Sequence, residues 1–300
     1  MNEKIKKFLK NPFLLFVSLG HRGFFNWMDD ERYLKMVYRV TLGKKLNLNP
    51  PVTFNEKLQW LKLHDRRPEY TEMVDKYEAK KYVADRIGEE YIIPTLGVWN
   101  HFDEIDFDKL PNQFVLKCTH DSGGLIICRD KEKLDKEKAR RKLENCLKHN
   151  FFWGMREWPY KDVKPRIIAE EYLEDTQTQK LIDYKFYCFH GNPMLLYVSE
   201  GLEDHFTAKI SFLNMDWTRA PFFRSDYKDF EILPDRPREY DRMISVAETL
   251  SKGVPFIRVD LYEVRGKIYF SELTFSPCSG MMPFEPNQWD EKLGEWLELP

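Results

Sequence analysis

Apolar and polar positions alternate with period two along Phe256-Ile-Arg-Val-Asp-Leu-Tyr-Glu-Val264. They do so again along Lys267-Ile-Tyr-Phe-Ser-Glu-Leu-Thr274, with Arg265-Gly266 between. That pattern predicts a β-hairpin near the end of the chain. Upstream the period changes. Leu34, Val37, Tyr38 and Thr41-Leu42 recur at three and four, as on one face of a helix, and Pro50-Pro51 interrupts them. Thr53-Phe-Asn-Glu56 forms a capping box before a helix running to His64. A further helix is expected from Thr71 to Ile87, stopped at Gly88, with extended segments at Tyr91–Pro94 and Leu96–Trp99. From Gln113 the chain reads as β-rich. Strands are expected at Phe114–Cys118, Leu125–Cys128, Arg166–Leu173, Ile182–Phe189 and Met194–Val198. The turn-forming stretches His120–Gly124 and His190–Pro193 separate the two pairs. A charged helix follows at about Asp135–His149, Phe151–Tyr160 is an aromatic loop, and a helix at about Arg238–Lys252 precedes the terminal hairpin. Helices and strands mix without strict βαβ alternation, which predicts an α+β fold with mostly antiparallel sheets.

Three hundred residues at 42% apolar content can fill one large core or two to three small ones, which excludes wholesale disorder. Lys and Arg number 47 against 49 Asp and Glu, a net charge of −2. Nothing in that balance drives the whole chain toward nucleic acid or an anionic membrane, so any phosphate binding must be local. The cysteines (118, 128, 146, 188 and 278) are odd in number and lack C-x-x-C spacing. That argues for reduced thiols in a cytoplasmic protein rather than a disulfide framework or a cysteine-rich zinc site. At the N-terminus, the apolar run Pro12–Leu19 is short, and no small-residue cleavage site follows it. It is expected to be a helix packed on the body. The sharper alternative is a peripheral membrane contact through residues 1–20, where Lys4, Lys6, Lys7 and Lys10 accompany Phe8, Phe13 and Phe16.

The hairpin carries the first candidate chemistry. Arg258 and Asp260 are two apart and share a strand face, as do Glu272 and Thr274 on the return strand. Two carboxylates and a hydroxyl suit a hard cation such as Mg²⁺, and an arginine beside them suits phosphate. A solvated salt-bridge group is the alternative. Lys117 stands on a strand feeding Asp121-Ser122-Gly123-Gly124, where small residues let backbone N–H groups approach phosphate oxygens. The G-x-x-x-x-G-K-[ST] loop is absent, and an ordinary hairpin turn is the competing reading. Glu170-Glu171-Tyr172-Leu173 ends a strand and can offer polar and apolar contacts to an adenine edge, with a solvated strand end as the alternative. Asp183 can accept from ribose hydroxyls, and Lys185 shares its face.

Taken in order, Asp75-Lys76, Lys117 before its glycine turn, Glu170–Leu173, Asp183, Arg258/Asp260 and Glu272/Thr274 resemble the ATP-grasp superfamily. The strings TFNEKLQWLK (53–62), VDKYEAKKYV (74–83), FVLKCTHDSGG (114–124) and FSELTFSPCSG (270–280) resemble its TupA-like branch, tied to teichuronopeptide and other surface-polysaccharide biosynthesis. The resemblance covers roughly residues 30–290. It implies two small α+β subdomains gripping ATP, preceded by a helical N-terminal region. The chain then divides into an N-terminal helical or amphipathic segment (1–28), a helical region (29–112), a lid subdomain (113–180) and a C-terminal subdomain with the metal site (181–300). Lys76 and Lys117 would hold ATP phosphates, and Ser122, Gly123 and Gly124 would form a phosphate lid. Glu170, Glu171, Tyr172 and Leu173 would bind adenine, and Asp183 the ribose, with Lys185 beside it. Asp260, Glu272 and Thr274 would hold Mg²⁺, and Arg258 would stabilise the transferring phosphoryl group. Thr274 departs from the asparagine common at that position, which puts the number of metal ions in question.

The activity so implied is an ATP- and Mg²⁺-dependent carboxylate–amine ligase working through an acylphosphate. The branch implies a glycan or lipid-linked sugar carboxylate and an amino acid or peptide amine as substrates. It implies no nucleic-acid partner, and a cytoplasmic place at or near the inner membrane face. The aromatic loop 151–160 and Trp217, Phe222 and Phe223 are candidates for stacking on sugar. Arg219 and Arg224 are candidates for gripping a carboxylate, and His120 for deprotonating an amine. Two other classes stay open: a glycosyltransferase, for which Asp106-Phe107-Asp108 is the only D-x-D in the sequence, and a non-catalytic nucleotide-binding protein.

Overall fold

The computed structural model describes residues 18–20, 22–174, 181–202 and 207–300. The lysine- and phenylalanine-bearing stretch at 4–16 therefore lies outside the described residues. In chain order come α1 (Asp30–Leu42), α2 (Phe54–His64), α3 (Glu69–Val74), α4 (Glu78–Ile87), β1 (Thr95–Trp99), β2 (Phe114–Cys118), β3 (Leu125–Cys128), α5 (Lys136–Leu147), α6 (Phe152–Met155) and β4 (Ile167–Glu171). They are followed by β5 (Ile182–Phe189), β6 (Asn192–Glu200), β7 (Lys209–Leu213), β8 (Phe223–Arg224), α7 (Tyr240–Ser251), β9 (Phe256–Val264), β10 (Lys267–Thr274), β11 (Phe284–Glu285) and α8 (Gln288–Trp296).

Two antiparallel sheets carry the architecture, one ordered β1-β4-β2-β3 and the other β10-β9-β5-β6-β7. The α+β expectation holds. The first sheet also takes a strand, β1, from before residue 113. On β2, Phe114, Leu116 and Cys118 turn inward and pack under α5 with Ala139 and Leu143. Val115 and Lys117 take the other face.

The second sheet is buried on one face by α7 and α4. Met243, Ala247 and Leu250 meet Phe186, Val198, Val259 and Leu261, with Val83 alongside. Each such fully buried side chain contributes about 1.5–3 kcal/mol. Its other face changes character along its length. At one end Tyr187, Phe189 and Phe256 pack around Phe54 of α2. At the other end the same faces of β5 and β9 continue as Asp183 and Lys185, and as Arg258, Asp260 and Tyr262. The aromatic end anchors the sheet, and the polar end is left for the site.

The capping box of α2 forms in both directions. Glu56 N–H donates to Thr53 Oγ1 at 3.2 Å, and Thr53 N–H donates to Glu56 Oε2 at 3.1 Å. The single helix expected over Thr71–Ile87 is instead two, broken at Asp75-Lys76-Tyr77. Asp75 is the cause. It is buried, its Oδ1 accepts from Tyr77 N–H at 2.9 Å, and its Oδ2 holds Arg166 at 2.7 Å, so its side chain competes with the helix for backbone donors.

Candidate active site

The two sheets face each other across a cleft of about 530 Å³. From the first sheet and its flanks it is lined by Lys76, Val115, Lys117, Ser122, Gly124, Ile127 and Glu170–Leu173. From the second it is lined by Asp183, Lys185, Tyr262, Ser271 and Glu272. Of the residues selected from sequence, Gly123 lies outside this lining, at the exposed loop tip, Arg258 and Asp260 stand one hydrogen bond behind it, and Thr274 stands behind Arg258.

On the first wall, the Glu170 carboxylate is held between Lys117 and Lys80, each at 2.6 Å. Burial works against its charge, but Lys117 and then Lys80 outweigh it and hold the carboxyl below its usual range. Lys117 is raised in turn: burial opposes its charge, while Glu170, Glu272 and Asp183 favour it. Lys80 was missed in the sequence, although it follows Lys76 by four residues. The glycine turn is closed by Asp121, whose Oδ1 accepts from Gly123 and Gly124 N–H at 3.1 and 2.8 Å. Lys76 Nζ donates to Asp121 O at 2.6 Å and fastens the turn to the α3–α4 break. Only glycine fits at 124, because a Cβ there would lie 2.6 Å from Cys118 Sγ.

On the second wall a β-bulge sets the geometry. The hairpin pairs Tyr262 with Tyr269 and Leu261 with Phe270, then shifts so that Asp260 faces Glu272 and Arg258 faces Thr274. Without Ser271 as the extra residue, Glu272 would follow Ile268 and Phe270 into the core. The Arg258 guanidinium reaches both Asp260 oxygens at 2.6 Å, Glu272 Oε1 at 2.9 Å, Thr274 Oγ1 at 3.0 Å and Tyr197 Oη at 3.3 Å. Lys185 adds a contact to Asp260 at 2.6 Å and one to Asp183 at 3.2 Å.

The two carboxylates titrate differently. Burial pushes Glu272 up, but Lys76, Arg258 and Lys185 pull it down to about 2. For Asp260, wholly buried, burial prevails over Arg258 and Lys185 and the carboxyl is raised. The donors Asp260, Glu272 and Thr274 are all oxygen, the set Mg²⁺ prefers, and Glu272 lines the cleft with its carboxyl held below the ordinary range. Their negative charge is held here by Arg258 and Lys185, which a divalent cation would relieve. The donor set therefore fits Mg²⁺, with Glu272 the most accessible ligand.

Several other candidates are engaged elsewhere. His120 is buried, its Nε2 facing Cys146 O and His149 O at 3.1 Å. Trp217 packs on Tyr184 and Tyr240, and Phe222 stacks on Trp289. Arg219 pairs with Asp229 and Arg224 with Asp226. Asp106 accepts from Asp108 N–H in an exposed turn outside the cleft lining.

A cleft between two antiparallel sheets, with a lysine and a glycine turn on one wall and a carboxylate pair on the other, is the arrangement of an ATP-grasp protein. The TupA-like ATP-grasp family profile matches residues 56–298, and the chain belongs to that family. No curated protein matches it. Among solved structures it is similar to a D-alanine–D-alanine ligase from Bacillus anthracis complexed with ATP, at 16% identity and a TM-score of 0.39, over 75% of this chain and 59% of that one. It is also similar to the D-alanine–D-alanine ligase of Helicobacter pylori, at 15% identity and a TM-score of 0.43, over 82% of this chain and 69% of that one. The chain thus spans about three fifths of the length of the first of these ligases.

Proposed function

We propose that this protein is an ATP- and Mg²⁺-dependent carboxylate–amine ligase. The observation that carries the reading is the single cleft lined by Lys76, Lys117 and Glu170–Leu173 on one wall and by Asp183, Lys185 and Glu272 on the other. Adenine lies against Glu170, Glu171, Tyr172 and Leu173, and the ribose against Asp183 with Lys185 beside it. Lys76 and Lys117 bind the phosphates under the Ser122-Gly123-Gly124 turn. Asp260, Glu272 and Thr274 would hold Mg²⁺, which would supply charge neutralisation to the phosphates.

A carboxylate is a poor electrophile until phosphorylated. Its attack on the γ-phosphorus releases ADP and leaves an acylphosphate, from which an amine expels inorganic phosphate to form an amide. Phosphoryl transfer of this kind is accelerated mainly by positioning and charge. Arg258 is fixed by four side chains just behind Glu272, so its positive charge already stands in place on the wall that faces the transferring group. Closure of the glycine turn excludes water from the acylphosphate. We assign the acceptor as a uronic-acid carboxylate of a glycan or lipid-linked sugar, the amine as an amino acid or peptide, and the process as surface-polysaccharide biosynthesis. Family membership supports this assignment.

The test is purified protein with ATP and Mg²⁺, offered uronates and amino acids singly and together. Release of ADP and phosphate that requires both partners, with an amide found by mass spectrometry, is the expected result. Consumption of a nucleotide-sugar without ATP turnover points to a glycosyltransferase. Nucleotide binding without turnover of any pair points to a non-catalytic role.

A further inference from the structure

The region 22–45 presents apolar and basic groups to solvent above a hydrogen-bonded, buried base. Among the described residues, Trp27 at 77% and Phe24 at 63% are, with the isolated Ile232, the most exposed bulky apolar side chains. Their exposure is imposed by what lies beneath. Arg156 is wholly buried and donates to Phe25 O at 2.9 Å and to Trp153 O at 2.7 Å, while its Nε pairs with Asp30 at 3.0 Å. Tyr33 Oη donates to Gly154 O at 2.8 Å. Phe25 and Met28 pack inward against Tyr33, Leu34 and Val37. The intervening Phe24 and Trp27 are thereby turned outward on a segment tied to the body.

Charge is segregated to the same part of the chain. Residues 22–45 carry six Lys and Arg against three acids (Asp29, Asp30 and Glu31), whereas the whole chain carries 47 against 49. Those acids are engaged locally: Asp29 with Arg32, Glu31 with Lys35, and Asp30 with Arg66 and Arg156. Arg22, Arg39, Lys44 and Lys45 are exposed. Among the described residues no helix is long and apolar enough to cross a membrane. Outward aromatics, with Arg22 two residues before Phe24 and further exposed cations in the same segment, suit the boundary between headgroups and acyl chains, where the rings bury apolar surface and the cations meet anionic lipid.

We propose that this face, centred on Phe24 and Trp27, docks on an anionic phospholipid bilayer. The proposal is independent of the ligase reading, since its readout is binding and not turnover. The full chain is mixed with vesicles of phosphatidylcholine plus phosphatidylglycerol, or of phosphatidylcholine alone, and floated on a density gradient. It is expected to float only with the anionic vesicles, and less at high salt. Phe24→Ser/Trp27→Ser is expected to weaken binding about tenfold or more, the scale set by two lost apolar contacts, with the melting temperature unchanged. Arg22→Glu/Arg39→Glu is expected to weaken it as well, and Ile232→Ser to leave it unaltered. Four results overturn the proposal: no flotation, equal flotation with neutral vesicles, wild-type flotation of the Phe24/Trp27 variant, or self-association through this face in place of lipid binding.

Discussion

Arg258→Met isolates the electrostatics of the second wall. The guanidinium touches Asp260 twice, Glu272 once and Thr274 once, and Asp260 has no solvent exposure. Methionine keeps much of the aliphatic volume and removes the charge. Asp260 is then left with Lys185 as its cation and with Glu272 across the strand pair. Breaking a buried pair by deleting one partner costs about 3–5 kcal/mol, because the remaining charge is stranded in a poorly solvated site. An exposed pair would cost about 1 kcal/mol or less. The assay is chemical denaturation of wild type, Arg258→Met, Asp260→Asn and the double variant. The double variant should lose less than the sum of the singles by about 1 kcal/mol or more, since removing both charges strands neither. Mg²⁺ should raise the stability of Arg258→Met more than that of wild type, because a bound cation replaces the missing charge. A loss under about 1 kcal/mol for Arg258→Met, or simple additivity in the double variant, would falsify the view that this arginine neutralises a buried carboxylate.

Glu272→Gln should lower ADP formation by about 10²–10³ while leaving the fold intact, and full turnover would remove this residue from the metal site. Lys117→Ala should weaken ATP binding by roughly tenfold to a hundredfold, since it loses a charge-assisted contact worth about 1.5–3 kcal/mol; unchanged calorimetric affinity would refute a phosphate role. Gly124→Ala should raise the KM for ATP, because the new methyl meets Cys118 Sγ at 2.6 Å and must displace the turn; an unaltered KM would show that the turn need not keep its shape. For pH, the Glu272 carboxyl is depressed to about 2, so its stabilising contribution is complete above the ordinary carboxylate range and lost as pH falls toward 2. Arg258→Met should move that loss to higher pH, which carboxyl chemical shifts followed by NMR would report.

Much of the fold was legible because local patterns and tertiary demands agree. The capping box, the Arg265-Gly266 turn, β2, β3 and β5 fall where periodicity and turn chemistry put them. The α3–α4 break was not legible, because it depends on Arg166, 91 residues away, holding Asp75. Nor was the commitment of Trp217 and Phe222 to the core, since an aromatic residue in a loop looks the same whether it meets a ring of the same chain or a ligand.

The amino-acid order by itself determined which residues share a strand: Arg258 with Asp260, Asp183 with Lys185, Glu272 with Thr274. Side chains two apart on a strand point the same way whatever surrounds them. Whether those pairs meet was decided by the three-dimensional packing. Counted straight from its turn, the hairpin would set Glu272 opposite Val259, on the core side. The extra residue at Ser271 reverses the phase and brings both acids under one guanidinium. That shift restores Leu273 to the core, a benefit that exists only once α7 and the rest of the sheet are in place.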